Sequence, residues 1–289
     1  MVHRRLAALA AALLLGLPAS AWAKPPVWVV RDADSTIVLF GSVHLLPENL
    51  DWRPPQLVDA LAHADDIWFE VPMDDAARLE AARVAMAQGL LPKGESLSKL
   101  LSRRDVARLK RVAKALHVPL KDFDRLQPWL ADVTLAAAQI QQYGGRTNEG
   151  VERALDRDAP PTAQRRAFET PAGQIALFAG APRSAQIAGL SDTLRAIEEE
   201  PRAFETIVKM WVDGDVEGLS REAVLPLKAV SPTLYRALIQ RRNAAWTKAI
   251  ADRLAGSGET VIVVGAGHLV GPDSVPALLR ARGIRVEGP

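Results

Sequence analysis

The chain has no cysteine. Disulfides, thiolate nucleophiles and cysteine-ligated metal are thereby excluded, and an oxidising compartment is compatible with the chain without being used by it. It also lacks a zinc helix of the His-Glu-x-x-His type, a Walker phosphate loop and a Gly-x-Ser-x-Gly elbow, so the sequence signals of zincins, P-loop NTPases and serine hydrolases are missing. There is no repeat at a fixed period and no low-complexity linker.

Excess charge is lacking as well. The formal net charge of +2 is carried entirely by Arg4 and Arg5, and without them Lys plus Arg equals Asp plus Glu. A nucleic-acid partner needs a basic stripe to neutralise phosphates, and none is visible. Those two arginines precede an apolar run, Leu6 to Leu17, and then Ala21-Trp22-Ala23. This order reads as a signal peptide over residues 1–23, cut after Ala23; an uncleaved anchor is the alternative. The run is shorter than the roughly 20 residues of a spanning helix, and nothing later approaches that length. The expectation is a periplasmic or secreted protein with no stable membrane insertion after cleavage.

What is present is an α/β pattern. Val27–Arg31 and Thr36–Phe40 read as a hairpin, Asp66–Glu70 as a buried strand, Gln164–Phe168 as a weaker one and Thr260–Val264 as the clearest. A helix from Ser274 to Ala281 and a closing strand at Ile284–Val286 complete a terminal βαβ unit. Residues of about 74–145 are helical in pattern, with Asp74 as N-cap, a capping box at Ser102 and Asp105, Pro128 at a helix start and Gly144 as a stop. A long helix starts at Pro232. The expected architecture is one domain over 24–289, a central mixed β-sheet flanked by helices and carrying a large helical insertion.

Four expected strands end on a polar residue: His44, Glu70, Glu169 and His268. In open α/β sheets, ligands bind at the carboxyl ends of strands. Two imidazoles and one or two carboxylates suit a divalent transition metal whose bound water becomes hydroxide near neutral pH, with a free carboxylate taking the proton. Each histidine lies three residues after a glycine, Gly41 and Gly265, which lets the chain bend sharply at the strand end and lets a ligand approach the backbone. Structural histidines at turns are the alternative. Glu169 reads equally as an exposed loop acid. Arg242 interrupts the apolar stripe Leu238, Ala245, Trp246, Ala249, Ile250; it pairs with a site carboxylate or oxyanion, or else lays its stem on the stripe with its head in water. Asn243 beside it suits capping or orienting a loop. A dinucleotide-like run at Gly265, Gly267 and Gly271 comes too late in the chain for following strands to complete a nucleotide-binding half. His63, His117 and Glu198-Glu199-Glu200 read as surface or helix-end groups.

Taken in order, Phe40-Gly41-Ser42-Val43-His44-Leu45, Phe69-Glu70, Asn148-Glu149-Gly150-Val151, Phe168-Glu169-Thr170 with Gln174 to Phe178, Arg242-Asn243 with Trp246, and Val264 to Asp273 resemble the TraB/GumN family, relatives of the Tiki proteins, in its GumN-type bacterial branch. The resemblance implies a fold akin to erythromycin esterase and the ChaN haem-binding proteins, and for Tiki-like members a peptidase activity dependent on manganese or cobalt. It places His44, His268 and Glu70 at the proposed active site, with Glu169 and Arg242 at further family positions. Arg165-Arg166-Ala167 departs from the more apolar, glycine-containing strand of the relatives. The resulting expectation is an exported metal-dependent hydrolase, most simply a peptidase: His44, His268, Glu70 and Glu169 as metal ligands, Glu70 as ligand or general base, Arg242 as electrostatic support. The alternative is a non-catalytic binding protein for a peptide or a haem-like ligand.

Overall fold

The computed structural model describes residues 24–146 and 150–289; the expected signal peptide lies outside the described residues. Runs of β-branched and aromatic residues pair into one six-stranded sheet: β1 (Val27–Arg31), β2 (Ser35–Ser42), β3 (Asp66–Phe69), β4 (Gln164–Ala167), β5 (Gly258–Gly265) and β6 (Val286–Glu287), in the order β4-β3-β5-β2-β1-β6. β2, β3, β4 and β5 are mutually parallel, while β1 runs antiparallel to both β2 and β6. The sheet is therefore mixed, and the fold is α/β with many helices. Central β5 is buried from Thr260 to Val264, as expected of a parallel strand covered on both faces.

Several boundaries differ from the sequence expectation for identifiable reasons. β2 extends to Ser42 because it pairs with β5 along its whole length, Ser42 opposite Gly265. The closing strand is only two residues and pairs with β1, so the terminal βαβ unit skips over β2 and β1 instead of joining neighbours. β4 is polar because it is an exposed edge. Arg165 donates to the carbonyls of Asp156, Ala159, Pro160 and Ala163, and Arg166 pairs with Asp66, which keeps further strands from adding there.

The helical block consists mainly of Asp75–Gly89, Arg103–Ala115 and Pro128–Gln142. Asp74 caps the first through the Ala77 N–H, and Gly144 takes φ +89° at the expected stop. At the capping box the Ser102 hydroxyl accepts from the Asp105 N–H and donates to the Asp105 carboxylate, in place of the reciprocal backbone bond. This block has its own core, with Leu97, Leu109, Val112 and Leu135, and shares it with Leu190, Leu194 and Ile197 of a later helix, Arg183–Glu199. The long helix from Pro232 is interrupted by a π-helical turn, Arg236–Gln240, before it continues as Arg241–Leu254.

Candidate active site

Because β2, β3, β4 and β5 are parallel, their carboxyl ends share one edge of the sheet, and His44, Glu70, Glu169 and His268 follow those ends. One cavity of about 630 Å³ is lined by His44, Glu70, Arg242 and His268 together. Glu169 joins the cluster through Arg242.

Arg242 is the centre of the arrangement. Its Nε donates to Glu169 Oε1 at 2.8 Å, its Nη2 to Glu70 Oε2 at 2.5 Å, and its Nη1 to the Leu238 carbonyl at 3.2 Å and to His268 Nε2 at 3.0 Å. The guanidinium has five N–H groups in a fixed fork; four are taken by these bonds, leaving one on Nη2. The π-helical turn ends two residues before Arg242. Such turns recur at functional sites because the extra residue re-aims the side chains that follow. Beneath the fork, Trp246 lies 4.6 Å from the guanidinium carbon, stacks on Phe168 at 5.0 Å and tilts against His268 at 4.5 Å. Its indole N–H donates to Glu169 Oε1 at 3.1 Å. Arg242 thus turns inward onto site carboxylates, and its burial is paired on both sides.

The remaining bonds fix the tautomer of His268. Asn243, fully buried, donates its amide N–H to the Asp273 carbonyl at 2.7 Å, so its Oδ1 faces His268 Nδ1 at 2.6 Å. Nδ1 then carries the proton and Nε2 offers a lone pair to Arg242. Burial pushes the His268 pKa down to about 4, Arg242 and His44 add to that, and Glu70 opposes it. The ring is neutral at physiological pH.

Glu70 leaves β3 into donors on every side: the Gly265 N–H at 2.8 Å to Oε1, and Arg242 and Gln174 Nε2 at 2.9 Å to Oε2. Burial alone raises a carboxyl pKa, but positive charge at His268, Arg242 and His44, with the Gly265 N–H, outweighs it and holds Glu70 down at about 2. With His268 neutral above about 4, Arg242 and His44 are the cations that remain. A carboxylate this strongly stabilised holds charge well and is a weak proton acceptor.

His44 is built differently. The loop after β2 is tied to the segment leading into the helix Val151–Asp158: Val151 N–H donates to the Val43 carbonyl, Arg146 N–H to the Leu46 carbonyl, and Gly150 lies so close under the His44 carbonyl that a Cβ would overlap it. That helix supplies Glu152, whose Oε1 meets His44 Nδ1 at 2.5 Å and accepts from the Ser42 hydroxyl at 2.6 Å. With 65 % of the His44 side chain exposed, the Glu152 charge, helped by its hydrogen bond and by Glu70, lifts the pKa to about 9. Glu152 is in turn held below the carboxylate range: burial works upward, but the charge and hydrogen bond of His44 and the bond from Ser42 prevail. His44 is therefore a charged imidazolium at neutral pH, held at Nδ1 by Glu152, and it lines the cavity.

A family model described as TraB/PrgY/gumN family matches residues 26–288. The chain belongs to the TraB/PrgY/gumN family. It is similar to an uncharacterized protein named YbaP of Escherichia coli (strain K12), 25 % identical over 260 residues that cover 89 % of this chain and 92 % of the relative. YbaP of Shigella flexneri is 26 % identical over 246 residues, covering 84 % and 87 %, and an uncharacterized protein of Treponema pallidum (strain Nichols) is 22 % identical over 268 residues, covering 88 % and 80 %.

For this TraB/PrgY/gumN member, the four residues expected to ligate a metal meet protein partners. The Arg242 guanidinium lies between Glu70, Glu169 and His268 Nε2, and His44 Nδ1 is held by Glu152. Among the described residues, no group of three or more His, Asp or Glu side chains is arranged to hold an ion. Glu169 Oε2, buried without a hydrogen-bond partner, is one oxygen and not a ligand set. As arranged, these residues fit a cation that the chain itself supplies.

The glycines act by close approach and not by bending. Gly265 has φ −49°, and a Cβ there would sit 3.2 Å from Glu70 Oε1; one on Gly41 would sit 3.0 Å from Ala266 Cα. The dinucleotide-like glycines enter a 3-10 turn, Ala266–His268, so no helix N-terminus stands there to take a pyrophosphate. Sequence reasoning missed Glu152, Ser42 and Gln174. The orienting role read for Asn243 is the one it occupies. Of the family-like stretch Asn148-Glu149-Gly150-Val151, the first two residues lie outside the described residues.

Proposed function

We propose that the chain is an exported hydrolase acting on a peptide bond held in this cleft, with His44 as the group that delivers a proton. The observation that carries it is the Glu152-His44 pair, which puts an imidazolium in the lining of the cavity that also holds Glu70, Arg242 and His268. In this reading, water adds to the substrate's carbonyl carbon, His44 gives its proton to the leaving nitrogen as the C–N bond breaks, and the proton released by the added water returns to His44. The free Nη2 proton of Arg242 shares the developing negative charge, Glu152 keeps His44 oriented and charged, and Glu70 locks Arg242 in place. Kinship in fold with erythromycin esterase and ChaN belongs to the same proposal.

The divalent metal implied by the family resemblance has to compete with Arg242 for Glu70 and His268, so manganese or cobalt is a variable of the test. Mature protein incubated with a peptide library, with and without manganese or cobalt, is expected to give new termini by mass spectrometry, lost in His44→Gln and reduced in Glu152→Gln. No cleavage under any condition, or cleavage unchanged in both variants, sinks the proposal. Saturable peptide or haem binding without cleavage would establish the binding-protein alternative.

A further inference from the structure

The strand ends and Arg242 make the polar floor of the cavity; its wall comes from other helices. Ala81, Ala82 and Ala85 of the helix Asp75–Gly89 line it with small side chains, together with Trp129 and Val133 of Pro128–Gln142 and Phe178 of Pro171–Ala179. Trp129 and Phe178 stack at 6.3 Å and 26°, a firm aromatic surface. All four charged or titratable lining residues, His44, Glu70, Arg242 and His268, belong to the floor. The Trp129 indole N–H is buried with no acceptor among the described residues, and the residue is 5 % exposed.

From this division we infer that the wall recognises a large apolar side chain next to the scissile bond, so that the substrate is a peptide segment rich in aromatic or branched aliphatic residues. The inference rests on the hydrolase reading of the same site and names its substrate class. The alanines leave room for the incoming side chain, and the aromatic pair supplies contact area. A charged side chain placed there loses its water without gaining a partner. With the side chain on the wall, the adjoining carbonyl falls toward the floor.

The test is binding of three probes to the mature chain, followed by ligand-observed NMR: N-acetyl-phenylalanine amide, N-acetyl-lysine amide and N-acetyl-aspartate amide. Only the phenylalanine compound is expected to bind. Two variants separate recognition from folding, since both positions are exposed: Ala82→Trp fills the cavity, and Val133→Asp puts a charge on its wall. Each is expected to weaken binding about tenfold, the scale of a lost apolar contact, with an unchanged circular dichroism spectrum. Binding of the lysine compound as well as the phenylalanine one, binding of none, or folded variants that bind like the parent would overturn the inference. Apolar-selective binding without cleavage of any peptide keeps this inference and removes the hydrolase reading; cleavage without apolar preference does the reverse.

Discussion

Replacing Arg242 by methionine removes the charge from a position where two carboxylates and one imidazole converge, while keeping an unbranched stem over Trp246. Glu70 and Glu169 are then buried without their cation, and His268 Nε2 loses its donor. Arg242 is one of the positive charges, with His268 and His44, that hold the Glu70 pKa down against burial. Breaking a buried ion pair by deleting one partner costs ~3 to 5 kcal/mol. A loss of this size lowers the urea midpoint by about 1 M.

The pH dependence discriminates further. In the parent, Glu70 has a folded pKa below its unfolded one, so its contribution is complete above 4.5 and is lost as pH falls toward about 2. In Arg242→Met that depression shrinks, because burial is then opposed by His44, His268 and the Gly265 N–H alone, and less stability is lost on acidification. The deficit is therefore largest at pH 7 and narrows below pH 4.5. Urea unfolding by circular dichroism at pH 7 and pH 4 reads both quantities. A variant within about 0.5 kcal/mol of the parent at pH 7, the range of ordinary surface substitutions, or a deficit that does not change with pH, would refute the network as described.

Other consequences can be measured independently. The His44 imidazole should titrate near 9 by NMR and return toward 6.5 in Glu152→Gln; since its folded pKa is raised, its contribution to stability is full below 6.5 and lost as pH rises through about 9. Cobalt(II) added at one equivalent should give no d–d absorption from the strand-end cluster, because Arg242 occupies it; a band abolished by His268→Ala would restore a metal-centred site. Gly150→Ala should displace the His44 loop, lowering both stability, by ~1 to 3 kcal/mol as for other overpacked sites, and any cleavage; equal stability and turnover would mean that the loop is not held as described. Asp132, on the helix Pro128–Gln142, is pushed up to about 6 by burial, with Asp192 adding to it and a bond from Thr193 opposing. Asp132→Asn should therefore stabilise the protein by roughly 1 to 3 kcal/mol at pH 8 and about half as much at pH 5, and equal effects at the two pH values would contradict this environment.

How much of this was legible in the sequence depended on how each residue advertises itself. His44, Glu70 and His268 stand at the ends of apolar runs, and a polar residue directly after a buried strand is conspicuous because the chain must either leave the sheet there or bury an unpaired group. Arg242 showed itself by interrupting a helical apolar stripe. Glu152 gave no such signal, since an acid in the first turn of Val151–Asp158 is what the helix dipole favours anyway. The available clue was periodicity: Val151, Ala154 and Leu155 are buried, and Glu152 lies on the same face. Nor could composition reveal that His44 and His268 are unlike each other. Both follow a Gly-x-x-His pattern at the end of a parallel strand, yet one faces a carboxylate and is charged, the other faces an arginine and is neutral. That asymmetry is set by Glu152 and Arg242, each more than twenty-five residues from the histidine it controls. It makes a symmetric pair of metal-ligand candidates into a charged imidazolium on one side of the cleft and a neutral imidazole, protonated at Nδ1 alone and bound by Arg242, on the other, a difference that a repeated motif by itself cannot express.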